Sequence, residues 1–208
     1  MQAQGLDYFF VRDIENIKWL TNFYSVFDTE EAHLLVVSQQ DAKLYTDSRY
    51  YNACKTAATK IDSEIIVSDE TNPLRHFDRA RSASGEISSN HNDNASQGLA
   101  RIGIEDSISL KDYRDYKNKM EQADVDFEFH EFHDCVKNLR ATKDPDEIEY
   151  MKKAQAITDK AWDFLCDYVK VGMSELQVQR KLDEFMFDNG ADGLAFDSIV
   201  SFGANAAN

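Results

Sequence analysis

Two histidines three residues apart, His130 and His133, flanked by Glu131 and Asp134, are the residues of this 208-residue chain whose types first suggest chemistry. Imidazole and carboxylate groups together can hold a divalent cation. The spacing suits one face of a helix, yet the alternating apolar residues of Val125 to Phe129 lead into the pair as a strand. No third ligand has a positional argument, so the set reads as surface or partly buried structural histidines. Asp47, Ser48 and Arg49 form a second tempting set, but three consecutive residues cannot converge on one atom as a triad does. Helix capping by Asp47 or Ser48, with Arg49 in an ion pair, accounts for them better. Between Asn22 and Glu31, Phe23, Tyr24 and Phe27 stand beside Asp28, Glu30 and Glu31. Either the aromatic rings pack locally with the acids in solvent, or this segment serves a site.

The elements that must carry these residues alternate between two periodicities. Leu6 to Val11, Ala32 to Ser38, Ala42 to Thr46, Ile61 to Val67, Arg101 to Glu105 and Val125 to Phe129 read as strands. Glu15 to Thr21, Ser48 to Lys60, a stretch opened by Pro73 and reaching about Ser84, and Leu110 to Gln122 read as helices. The asparagine-rich Ser88 to Gln97 reads as a surface loop that includes a solvated His91. Strands separated by helices predict a layered α/β domain.

The pattern changes near Asn138. Asp144-Pro145-Asp146-Glu147 combines a cap, a first-turn proline and a capping-box acid. Ile148, Met151, Ala154, Ile157, Ala161, Leu165 and Tyr168 then mark one apolar stripe, and Gly172 is the expected stop. Ser174 to Gln177 repeats the capping logic for a second helix closed by Gly190. Leu194 to Phe202 alternates like a strand. Both helices carry apolar stripes that need a cover, so the chain is expected either to dimerise through them or to leave them poorly ordered.

Composition bounds the function. The formal net charge of -15, from 38 acidic and 23 basic residues, disfavours phosphate backbones, and no basic run compensates. Nucleic acid is therefore not expected as a partner, although a basic, histone-like protein is compatible with the charge. The N-terminal residues have no basic region followed by an apolar core, and no apolar run approaches the roughly 20 residues of a membrane span. A cytoplasmic protein without a membrane association is the expectation. Cys54, Cys135 and Cys166 are three widely spaced thiols with no CxxC pair, so neither a zinc knuckle nor a disulfide framework is suggested.

Four stretches, in order, resemble the creatinase/prolidase family. Asn16 to Phe23 resembles its N-I-x-Y-L-T-G-F segment, with Trp19 and Asn22 as departures, and Thr46 to Tyr50 its T-D-S-R-Y signature. Arg140, Lys143 and Glu147-Ile148 resemble the junction that opens the catalytic domain, and Phe196 to Ala207 resembles the F-x-x-I-V-x-x-G-x-N-A-A strand and turn. The resemblance implies an N-terminal creatinase-like α/β domain with a mixed sheet over residues 1–138. Residues 139–208 would be the first helices and strand of a truncated pita-bread α+β domain.

It also implies a homodimer that hydrolyses the Xaa-Pro bond of proline-containing peptides with two divalent metals, manganese or cobalt. Family members hold these through two Asp, one His and two Glu, which the resemblance places beyond Asn208. No catalytic or metal-binding residue is therefore assigned within the chain, which by itself is expected to be inactive. Two bridged metals would lower the pKa of a shared water and stabilise the oxyanion it forms. Phe196 is the residue the resemblance places against substrate, although a core position on a buried strand explains it equally. Tyr24 and Asp28 fall in the segment that approaches a partner's active site in dimeric relatives. The alternatives are a non-catalytic, histone-chaperone-like module of the same fold and a creatinase-type hydrolase of a non-peptide C–N bond.

Overall fold

The computed structural model describes residues 4–27, 33–70 and 99–207. The expected helix from Pro73 to Ser84 and loop from Ser88 to Gln97 lie outside these residues. The chain forms two compact units that part between Ala141 and Thr142.

The first unit is built on a six-stranded sheet. Its strands are β1 (Tyr8–Val11), β2 (Leu34–Ser38), β3 (Ala42–Tyr45), β4 (Ile66–Ser68), β5 (Ala100–Glu105) and β6 (Phe127–Phe132), in the order β4-β3-β2-β1-β5-β6. Strands β1 and β2 pair antiparallel, as do β2 and β3, whereas β1–β5, β3–β4 and β5–β6 pair parallel. β2 thus runs against the other five. The sheet is mixed, and the carboxyl ends of five strands share one edge with the amino end of β2.

Among the described residues, the helices of this unit are α1 (Ile14–Thr21), α2 (Ser48–Lys60), α3 (Leu110–Gln122) and α4 (Cys135–Ala141). Alternation along the strands separates two cores. Phe9, Val11, Leu35 and Leu44 pack with Ile17 of α1, Cys54 and Ala58 of α2 and Val136 of α4. Phe10, Leu34, Val36, Ile102 and Ile104 pack with Tyr116 and Met120 of α3 on the other face. Gly103 of β5 lies under Phe9 so closely that a Cβ there would stand 2.4 Å from its Cδ2.

Caps fix the helix starts. Asp13 accepts from Asn16 N at 2.9 Å, Asp47 from Arg49 N at 2.8 Å and Ser109 from Asp112 N at 3.0 Å. Arg49 also bonds Asp47 Oδ2 at 2.6 Å, so the Asp47–Arg49 set is the cap and ion pair read from the sequence. β6 continues through His130 to Phe132, beyond the expected stop at Phe129, because its ladder with β5 runs from Ala100↔Phe127 to Glu105↔Phe132. β4 begins at Ile66 rather than Ile61, since Ile61 caps the end of α2 and Asp62 turns the chain at φ 51°.

The second unit contains α5 (Pro145–Tyr168), α6 (Glu175–Asp188) and a final 3₁₀ turn, Gly203–Ala207. Both helices open with complete capping boxes, Asp144 with Glu147 and Ser174 with Gln177. α5 stops at Tyr168, before the expected Gly172, whereas Gly190 follows α6 at φ 94° and closes it. Phe164 stacks on Phe185 at 4.4 Å between the helices, and Ala161 of α5 and Val178 of α6 are buried. Leu194 to Phe202 forms no strand, contrary to its alternation: a strand needs a ladder partner, and the described residues of this unit supply none. No helix of the described residues is long and apolar enough to cross a membrane.

Candidate functional site

The three residues expected near substrate have different fates. Tyr24 lies in the turn after α1 and is 53% exposed, while its neighbours Phe23 and Phe27 are buried in the first core. Two rings of the segment are therefore packed and one is exposed. Asp28 lies outside the described residues. Phe196 belongs to the second unit and is 78% exposed in the irregular segment after α6, so it is neither on a strand nor in a core.

The first unit concentrates its polar groups at the strand ends. Glu105, the last residue of β5, is only 4% exposed. Its carboxylate accepts from Arg12 N at 2.6 Å, Asp13 N at 2.8 Å and Asn16 Nδ2 at 2.6 Å. Arg140, in the last turn of α4, donates to Asn16 Oδ1 at 2.8 Å. Burial pushes the Glu105 carboxyl up from its ordinary value, and the Asp13, Arg12 and Asn16 hydrogen bonds pull it partly back. Two family-like motif residues, Asn16 and Arg140, thus bond each other directly, and Asn16 links the pair to a buried acid that no local sequence pattern marks.

Beside this network a crevice of about 240 Å³ opens at the carboxyl ends of β1 and β3, lined by Arg12, Thr46, Asp47, Glu70, Asp112 and Lys119 among others. Ligands of open α/β sheets favour that edge. Arg12 is committed there, bonding Asp112 at 3.3 Å and the carbonyl of His33. His33 is buried, with Nδ1 2.8 Å from Thr46 Oγ1.

The same edge answers the histidine question. His130 lies on β6 with Nε2 3.3 Å from Glu128 Oε2, and among the described residues it belongs to no group of three candidate ligands. His133 follows β6 and shares a hydrogen bond with Asp106, the residue after β5, while its Nε2 stands 3.4 Å from Asp134 Oδ2. The His133 bond holds the Asp106 carboxyl below the usual carboxylate range. The same bond, then the charges of Asp106 and Asp134, raises the His133 imidazole. Asp106 was missed because its partnership depends on parallel pairing across 27 residues.

In the second unit, Glu175 accepts from Phe202 N at 2.9 Å and from Asn205 Nδ2 at 3.0 Å, fixing the final turn to the start of α6. Ser198 donates to Asp183 at 2.6 Å.

A mixed-sheet α/β unit followed by a capped helical pair defines the class to which these features belong. Residues 1–142 match the creatinase/prolidase N-terminal domain, and residues 149–208 match metallopeptidase family M24. The chain belongs to the creatinase/prolidase family. A Bacillus subtilis peptidase described as uncharacterized is 26% identical over 204 residues, 98% of this chain and 51% of that protein. The Xaa-Pro dipeptidase of Pyrococcus furiosus is 36% identical over 106 residues, 51% of this chain and 29% of that one. The solved prolidase from Pyrococcus furiosus covers all of this chain with 52% of its own, at TM-score 0.72 and 23% identity. The X-Pro aminopeptidase from Thermotoga maritima covers 93% of this chain with 49% of its own, at TM-score 0.66 and 25% identity. The chain thus spans about half the length of relatives matched along nearly all of it.

The metals that this family implies need a convergent set of oxygen and nitrogen donors. Among the described residues, the one group of three or more candidate ligands is Asp106, His133 and Asp134, in the first unit. The described residues after Ala141 gather no such group, so they do not fit a dinuclear centre and no catalytic step is placed on them.

Proposed function

We propose that this chain is the N-terminal portion of a metal-dependent peptidase that cleaves Xaa-Pro bonds in proline-containing peptides, and that two manganese or cobalt ions serve the whole protein. The ordered match of residues 1–142 to the creatinase/prolidase N-terminal domain and of 149–208 to family M24 carries this reading. The Xaa-Pro dipeptidase name of the Pyrococcus relative supports the substrate class. The first unit serves a homodimer, and the sequence segment that contains Tyr24 and Asp28 closes the partner's site. The exposed Phe196 presents its ring to substrate. The chain of residues 1–208 alone is inactive.

The test compares two proteins in one assay. The protein expressed from the whole gene and loaded with manganese or cobalt should release proline from an Ala-Pro dipeptide and stop when the metal is chelated. The 208-residue chain under the same conditions should release none. Failure of the whole protein to cleave, while it still binds peptide or a basic protein, would replace the peptidase with the non-catalytic module. Metal-dependent cleavage by the 208-residue chain would refute its inactivity.

A further inference from the structure

We infer that Asp106, His133 and Asp134 form a binding site for one divalent transition-metal cation, with zinc the ion its donors suit best. The inference does not depend on the peptidase reading. It begins with topology. β5 and β6 are parallel and paired up to Glu105↔Phe132, so the next residues, Asp106 and His133, leave the sheet side by side. Asp134 then turns the chain at φ 47°, and its carbonyl accepts from Asn138 N at 2.8 Å as α4 begins. One donor atom from each of the three side chains lies within 4.8 Å of the other two.

Ligands about 2.0–2.2 Å from a tetrahedral ion stand roughly 3.3–3.6 Å apart. His133 Nε2 and Asp134 Oδ2 already have that separation, at 3.4 Å, whereas Asp106 faces the other ring nitrogen, Nδ1, so the ring must turn for all three to reach one ion. The Asp106 carboxylate is held by the Asp134 backbone N–H, which reaches Oδ1 at 3.3 Å. The His133 side chain is 84% exposed, so its ring can turn toward an ion without disturbing either core. Two carboxylates and one imidazole sum to two negative charges when the imidazole is neutral, matching a divalent ion. One nitrogen with two oxygens selects zinc, cobalt or nickel over calcium and magnesium, which prefer all-oxygen cages. Three protein ligands leave a position for water or for a donor from another molecule. Lys137, whose Nζ lies 3.2 Å from Asp134 Oδ1, is the cation that competes for this charge.

Tag-free 208-residue chain titrated with zinc chloride in a calorimeter should bind one ion per chain in a saturable isotherm. D106N and H133N should weaken binding at least about tenfold, the scale on which a lost metal contact is felt. H130N should leave it unchanged, because His130 pairs with Glu128 on the strand. H133C guards against loss through misfolding: loaded with cobalt, it should show a new sulfur-to-cobalt absorption in the near ultraviolet. Absence of saturable zinc binding by the parent chain overturns the proposal. So does zinc binding that survives H133N undiminished, or a cobalt-loaded H133C without the new band.

Discussion

Glu105 shows how one side chain can serve several segments. Its two oxygens satisfy the backbone N–H groups of Arg12 and Asp13 and the amide of Asn16, and Arg140 reaches the cluster through Asn16. Each group alone would be a poorly partnered donor or a buried acid, a cost of about 1–3 kcal/mol apiece. Together they tie the β1–α1 turn to the end of β5 and to α4. Tyr116, Cys54 and Tyr8 of the first unit are each raised by burial. Burial pushes the Tyr116 phenol up to about 12 and the Cys54 thiol up to about 11. A group whose folded pKa is raised contributes stability that is full below its unfolded pKa and is lost as pH rises through the folded value. For Tyr116 the window runs from its ordinary 10.0 to about 12. Two units correspond to roughly 2–3 kcal/mol at most. Urea denaturation midpoints should therefore fall less steeply between pH 10 and 12 for Tyr116→Phe than for the parent, and the slope the variant keeps includes the shares of Cys54 and Tyr8. Equal slopes would show that Tyr116 ionises alike in the folded and unfolded states.

At the scale of elements, the close pairing of Gly103 with Phe9 makes a sharp prediction. A Cβ at position 103 would meet Phe9 Cδ2 at 2.4 Å and Leu6 Cδ1 at 2.9 Å. Gly103→Ala should cost about 1–3 kcal/mol in denaturant unfolding, the usual range for overpacking. A change of less than a few tenths would mean that β1 and β5 separate easily. Helix limits were the most legible part of the sequence: Ser48–Lys60 and Leu110–Gln122 could be read from capping residues and period alone. Strand limits were less so, because a strand's length is set by its neighbour. β6 gained three residues from its ladder with β5, and the alternating Leu194 to Phe202 stayed irregular without one. The same reason hid Glu105 and Asp106. Both act through pairing between segments distant in sequence, whereas Asp47 acts on Arg49 two residues away and was readable. Phe196 was legible as a residue that resembles a family position, but its exposure was not.

At the scale of the molecule, the division between Ala141 and Thr142 separates a unit with two cores from a helical pair whose buried apolar residues are few. Ile148, Met151, Trp162 and Phe187 are exposed on those helices. Residues 1–141 expressed alone should therefore unfold in one cooperative transition, with a calorimetric midpoint within a few degrees of the corresponding transition of the whole chain. A fragment that lacks a transition would show that the sheet needs the second unit. The order of strands has a further consequence during synthesis. Tyr8 of β1 pairs with Ile102 of β5, so 94 residues (102 − 8) separate the two partners. At roughly 5–20 residues per second, β5 emerges about 5–20 s after β1. Throughout that interval the β1 edge that will face β5 has no native neighbour, the condition in which strand edges recruit other chains. A nascent chain paused before codon 100 would be the form of this protein in greatest need of a chaperone.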